Sequence, residues 1–180
     1  MFFYYLNSYI FYLDFQLKKL LLFGGNRKDE DGPLLKFAHN AAKFIDEVII
    51  FIDEQHLKLA TQNGVLLLQK LEENTTENMR FVKTNKINIQ LLEEYVDENT
   101  LGLLINASWI VKQDVIDLFK GKLFNYHNTR LPQERGAAAY SWKILSQWRE
   151  GVLTIHKVIP SLDAGDIIKQ KKMVLIYLKK

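Results

Sequence analysis

The 180-residue chain has no cysteine, only three prolines, no long apolar run and no marked excess of either charge. Without thiols there can be no disulfide framework, no cysteine-ligated zinc or iron–sulfur centre and no thiol nucleophile, and such a composition suits a reducing compartment. No uninterrupted apolar stretch approaches the roughly 18 to 20 residues that span a bilayer, so the chain is read as soluble and without a membrane partner. Its 24 Lys and Arg against 21 Asp and Glu leave a formal charge of +3. The two signs are interspersed, so nucleic acid is not an expected partner. What is present is a 48% hydrophobic share. That is enough to bury the core of one ordinary domain and too much for a disordered or low-complexity chain.

Eight of the 22 aromatic residues fall within MFFYYLNSYIFYLDFQ, residues 1–16. A secretory signal would carry a base before its apolar run and a small-residue cleavage site after it, whereas the first bases here are Lys18 and Lys19. Residues 1–16 are therefore read as an aromatic extension ahead of a domain at 17–180. LKKLLLFGG reads as a buried strand closed by Gly24 and Gly25. Pro33 then opens a helix carrying Leu34, Leu35, Ala38, Ala41 and Ala42 at helical spacing. EVIIFID and MRFVKT read as the next strands, and residues 56–79 between them are ambiguous. INIQLLEEYVDEN predicts an amphipathic helix ending near Asn99, LGLLINAS a buried strand, and WIVKQDVIDLFKGK a helix from Trp109 stopped at Gly121. KLFNYHNT is a strand, AAAYSWKILSQWRE a helix, GVLTIHKVI a strand, SLDAGD a turn and IIKQKKMVLIYL a last extended segment. Strands alternating with helices, with no repeat and no linker, predict an α/β domain built on a parallel sheet.

In such a sheet, ligands bind beyond the carboxyl ends of the strands. Asn125 and His127 are two apart at a strand end, so they point to one face. The SLDAGD turn follows another strand with two carboxylates, Asp163 and Asp166, either of which could reach the histidine. A carboxylate orienting an imidazole, beside an amide donor, suits an acyl-type transfer. Gly24-Gly25-Asn26 can expose backbone N–H groups to an anion or can simply make a tight turn, and Arg27, Lys28 and Arg135 are the cations to consider with it. The third glycine of a dinucleotide fingerprint is missing. His156 is read as a structural strand residue, and His39 and His56 carry no assignment.

The string LFNYHNTRLPQERGAAAYSWKIL followed by GVLTIHKVIPSLDAGDIIKQ resembles the formyltetrahydrofolate-dependent formyltransferases, which act on methionyl-tRNA, glycinamide ribonucleotide and amino-sugar nucleotides. Asn125, His127, Leu131, Pro132, Arg135, Gly136, Thr154, His156, Leu162, Asp163 and Gly165 follow that family's order, and the clear match covers residues 101–173. The resemblance implies a Rossmann-like domain with a mostly parallel central sheet flanked by helices. It implies N10-formyltetrahydrofolate as co-substrate, no metal, a cytoplasmic location and a catalytic trio of Asn125, His127 and Asp163. Asp163 is favoured over Asp166 because the family's aspartate precedes x-Gly. Carried over in the same way, the folate pocket is lined by Ile105, Asn106, Ala107, Ser108 and Trp109, by Ile159, Ser161 and Leu162, and by Leu131. Trp109 is equally readable as a hydrophobic anchor.

Two departures bear on the substrate. Asn128-Thr129-Arg130 precedes Leu131-Pro132 where the family commonly has Ser-Leu before its Leu-Pro, which brings a base to the site. The sequence also runs only a few residues past Met173, so a second, substrate-binding domain is not expected. The expected substrate is a phosphorylated amine, an amino-sugar nucleotide, contacted by Gly24, Gly25, Asn26, Arg130 and Arg135. The alternatives are an inactive relative that binds only folate or nucleotide and, third, a methionyl-tRNA formyltransferase. A homodimer stays open.

Overall fold

KLLLFG and EVIIFID are apolar at nearly every position, which suits strands covered on both faces, and both become central strands of one sheet. The computed structural model describes residues 17–24, 33–54, 75–107, 109–136 and 139–174. The expected extension at 1–16, the ambiguous stretch 56–74, His56, Gly25, Asn26, Arg27, Lys28 and Ser108 lie outside the described residues. The elements run β1 (Lys19–Gly24), α1 (Pro33–Ala41), β2 (Glu47–Asp53), β3 (Met79–Thr84), α2 (Ile89–Leu92), β4 (Thr100–Ile105), α3 (Gln113–Leu118), β5 (Leu123–His127), α4 (Ala139–Leu145), β6 (Glu150–Lys157) and β7 (Ile167–Val174). Among the described residues, no helix is long and apolar enough to cross a membrane.

The strands form one seven-stranded sheet in the order β3-β2-β1-β4-β5-β6-β7. The five strands β3 to β5 in that order pair parallel, while β5–β6 and β6–β7 pair antiparallel. This is the mostly parallel sheet that the resemblance implies: the parallel pairing read from the alternation of strands and helices holds from β3 to β5, and β6 alone runs against the other strands. The short turn at 158–166 returns β6 directly into β7, and so short a connection permits only antiparallel pairing.

Period-two alternation divides the core. Leu20, Leu22, Val48, Ile50, Leu101 and Leu103 pack with Leu34, Leu35, Ala38 and Ala41 of α1. Leu21, Phe23, Ile49, Phe51 and Leu104 face the other way, onto Leu92, Val115 and Phe119. Phe23 stacks on Phe51 at 5.0 Å and meets Phe119 edge-on at 6.1 Å.

Two helices are shorter than their apolar spacing predicts, and a third, α4, stops at Leu145 rather than running on to Glu150, because Gln147 is left-handed (φ 55°). α2 is capped by Asn88, whose side chain accepts from the Leu91 N–H, but it ends at Leu92 rather than near Asn99. Beyond it, Asp97 and Thr100 side chains capture the backbone N–H groups of Asn99 and Asp97 in a local turn. α3 starts at Gln113 rather than Trp109, because Asn106 is left-handed (φ 52°) and Lys112 is extended.

The topological switch lies between β1 and β4, where Gly24 pairs with Ile105. A Cβ on Gly24 would collide with the Ile105 carbonyl oxygen. The glycine is therefore required by the close approach of the two strands, whatever the following loop binds.

Replacing Phe23 by Ala empties the contact of three rings and is expected to cost about 3–5 kcal/mol. Denaturant unfolding followed by circular dichroism checks this, and a loss below 1 kcal/mol would mean the ring cluster is not part of the core.

Candidate active site

The site is assembled where the sheet changes from parallel to antiparallel. Asn125 and His127 lie on β5, and antiparallel pairing places His156 of β6 directly across from Asn125. The loop after β6 then carries Asp163 back over both strands in a left-handed conformation (φ 49°). Only 8% of Asp163 is exposed, so its charge must be met by polar partners. Its Oδ1 accepts from Asn125 Nδ2 at 3.3 Å and lies 3.7 Å from His127 Nδ1 and 3.6 Å from His156 Nε2. Its Oδ2 accepts from the Gly136 N–H at 3.0 Å.

Burial pushes the His156 pKa below its ordinary value, outweighing the Lys157 carbonyl and Asp163, which act in the opposite direction. The ring is neutral at neutral pH. Its Nδ1 lies 2.8 Å from the Lys157 carbonyl and donates to it, which leaves Nε2 as an acceptor. Asn125 Nδ2 donates to that nitrogen at 3.1 Å. Both amide hydrogens of Asn125 therefore have partners, one on His156 and one on Asp163. His156 is thus part of the site, which corrects its reading as a merely structural strand residue.

On its other side, His127 Nε2 faces the Glu134 carbonyl at 3.4 Å. The segment 128–136 that wraps the ring is fixed by its own polar groups. Thr129 Oγ1 donates to the Glu134 carbonyl at 2.6 Å, Thr154 Oγ1 to the Thr129 carbonyl at 2.7 Å, and Gln170 Nε2 to the Leu131 carbonyl at 2.8 Å. Gly136 has φ 92°, a conformation that favours glycine, and this aims its N–H at Asp163.

The structure thus brings Asn125, His127 and Asp163 together. Asp166 is exposed, and its carbonyl accepts from the Lys157 N–H. Ile105 is buried at the end of β4, followed by exposed Asn106 and half-buried Ala107. Trp109 packs beside the α3 face of the core, and its Nε1–H is buried with no hydrogen-bond partner among the described residues. Leu131 is buried, while Ile159, Ser161 and Leu162 are exposed around the Asp163 loop. Arg130 is half-buried with its guanidinium 3.9 Å from Glu150, and Arg135 is exposed. Among the described residues, no group of three or more His, Asp and Glu is arranged to hold a metal ion. Sequence reading missed the part played by His156, Gly136 and Glu134. The two-residue spacing of Thr154 and His156, the same pattern that singled out Asn125 and His127, was the available signal.

The neutral His156 makes stability depend on pH. Unfolded, a histidine titrates near 6.5. Below that pH the unfolded chain takes up a proton that the folded one does not, so stability falls as pH drops from about 6.5 towards the lower folded value. Thermal unfolding of His156→Gln is expected to show a shallower fall across that window than the unaltered protein, and an unchanged slope would place the proton elsewhere.

The Formyl transferase family model matches residues 55–177. The methionyl-tRNA formyltransferase of Mycoplasma genitalium is 32% identical over 75 residues, 42% of this chain and 24% of that protein. The chain thus spans about a quarter of the length of the curated relatives it matches first. Among solved structures, phosphoribosylglycinamide formyltransferase from Streptococcus pneumoniae superposes with a TM-score of 0.60 at 20% identity, covering 91% of this chain and 86% of that one. An N-formyltransferase from Helicobacter canadensis, solved with folinic acid and dTDP-3-aminofucose, gives 0.58 at 22% identity, covering 88% and 53%. At these identities the superpositions establish the fold, a mostly parallel sheet flanked by helices and shared with formyltransferases. The family match extends over more than half the sequence and includes every residue around Asp163: the chain belongs to the formyl transferase family.

Proposed function

We propose that this site transfers a formyl group from N10-formyltetrahydrofolate to an amine of a phosphorylated small molecule, with an amino-sugar nucleotide as acceptor. The observation that carries this reading is the buried Asp163 carboxylate, facing Asn125 and His127 together. Formyltetrahydrofolate supplies, when bound, an activated formyl carbon open to attack by an amine. Asn125 and protonated His127 are the donors for negative charge developing on the formyl oxygen. Because both Asn125 hydrogens are committed, one must be exchanged, and the 3.3 Å contact with Asp163 is longer than the 3.1 Å contact with His156. His156 then keeps the amide aligned while Asp163 orients His127 and takes up the amine's proton through water, a proton that would return to the folate N10 as its bond to the formyl carbon breaks and tetrahydrofolate leaves. No metal enters this chemistry.

The residues present fit the folate. Loops 105–109 and 159–162, together with Leu131, would hold its pterin. The unpartnered indole N–H of Trp109 and the exposed apolar surfaces of Ile159 and Leu162 suit a flat heterocycle bearing acceptors. Arg130 and Arg135 flank the site and favour a phosphorylated acceptor, and Gly24, Gly25 and Asn26 are carried as its second contact. The relative solved with folinic acid and a dTDP-amino sugar supports this choice. A cytoplasmic location goes with a folate-dependent reaction and a chain without cysteine.

A second reading, formylation of methionyl-tRNA, is favoured by the identity to methionyl-tRNA formyltransferases. Incubation with formyltetrahydrofolate and, separately, dTDP-amino sugars, glycinamide ribonucleotide and methionyl-tRNA, with release of tetrahydrofolate as the signal, tests both. Release with the amino sugars is the expected outcome. Release only with methionyl-tRNA selects the second reading, and folate-analogue binding with no release marks an inactive relative.

His127→Ala and Asp163→Asn are each expected to lower kcat by about 10²- to 10⁴-fold. Calorimetric affinity for a stable folate analogue should stay within about threefold for His127→Ala, because its pocket is built from other segments. Equal loss of binding and turnover would mean that His127 merely holds the pocket together.

A further inference from the structure

Lys143 of α4 is 5% exposed and is the single buried lysine or arginine among the described residues. A lysine is almost never enclosed unless paired, and its Nζ lies 2.5 Å from Glu134 Oε2. The same oxygen accepts from the Arg130 N–H at 2.8 Å, and the Glu134 N–H donates to the Arg130 carbonyl at 2.7 Å. Glu134 is thereby locked at both backbone and side chain. Its carbonyl faces His127 Nε2, and two residues on, the Gly136 N–H holds Asp163 Oδ2. Both flanks of the site hang on one peptide segment, to whose hydrogen bonds this buried lysine adds an ion pair at Glu134.

We propose that the Lys143–Glu134 pair is a positioning device for the transfer, holding segment 128–136 so that the Glu134 carbonyl orients His127 and the Gly136 N–H orients Asp163. Neither side chain touches the reacting atoms. Both act through the backbone, and the claim rests on the reading of His127 and Asp163 given above. Removing the Glu134 charge leaves the Lys143 ammonium buried without its counter-ion, and removing Lys143 takes away the side chain that pins the part-exposed Glu134 carboxylate, so either change lets the segment shift. A shift of about 1 Å in a reacting group is enough to cost turnover heavily.

The test uses Lys143→Met, which keeps length and burial, Glu134→Gln, which keeps an acceptor for Arg130, and Lys143→Arg as the conservative variant. Each is assayed for kcat and KM and examined by nuclear magnetic resonance at the His127 ring nitrogens and the Gly136 amide. Lys143→Met and Glu134→Gln are expected to lose about 10- to 100-fold in kcat, with KM for formyltetrahydrofolate within about threefold. Both should move the His127 and Gly136 signals, and Lys143→Arg should recover part of the loss. Folded variants with unaltered kcat and unmoved signals overturn the proposal. If Lys143→Met does not fold, Glu134→Gln decides on the same readouts. If the unaltered protein formylates nothing offered, the functional reading fails, and the resonance shifts alone decide whether the pair positions His127 and Gly136.

Discussion

A carboxylate sunk where three segments meet is the constraint on which the carboxyl-terminal half of the fold turns. Asp163 is buried, and a buried charge without donors is too costly to keep. Its two oxygens draw on β5 through Asn125 and His127, on the loop before α4 through Gly136, and on β6 through the nearby His156 ring. Satisfying all of these at once requires β6 to run antiparallel to β5, so that His156 stands opposite Asn125. It also requires the loop after β6 to double back in a left-handed turn at Asp163. Among the described residues, five of the seven buried polar or charged ones, Thr129, Lys143, Thr154, His156 and Asp163, belong to this network. Buried polarity among the described residues is thus concentrated at the seam between the parallel and antiparallel parts of the sheet, and the parallel strands carry it only at their ends, at Asp53 and Thr100.

That division explains what could be read before any coordinates. The parallel strands were legible because burial on both faces leaves no choice of residue: EVIIFID and KLLLFG are strands by composition as much as by pattern. α1 was legible because Pro33 and the spacing of Leu34, Leu35, Ala38 and Ala41 agree. α2 was overextended because apolar spacing continues through Tyr95 and Val96, which do pack on the core, yet they do so from turns held by Asp97 and Thr100. Periodicity reports which side chains are buried, and a short polar side chain competing for backbone N–H groups leaves that periodicity intact.

In the site, Asn125, His127 and Asp163 were legible as side chains, from spacing and from resemblance. What holds them was not. Gly136 and Glu134 act through a backbone N–H and a backbone carbonyl, and the peptide group is the same whatever residue bears it. The glutamate's side chain and the buried lysine that meets it lie nine residues apart, on a loop and on a helix. Neither helical nor strand spacing links them. His156 is the intermediate case, since its two-residue offset from Thr154 marked a face, but only the antiparallel register shows that this face is the one Asn125 occupies.

The same geometry sets how the site can respond to a substrate. His156 is held to the backbone through Nδ1 and to Asn125 through Nε2, so the amide has one rigid anchor and one longer, exchangeable contact. Asp163 is held at 3.0 Å by Gly136 through Oδ2 but keeps only longer contacts, 3.3–3.7 Å, through Oδ1. One oxygen fixes the carboxylate, and the other is left to be shared among Asn125, His127 and whatever proton arrives. For the transfer proposed above, a site built this way need not rearrange its scaffold, because the groups that would change partners are those whose resting hydrogen bonds are long, while the short ones belong to the residues that hold them in place.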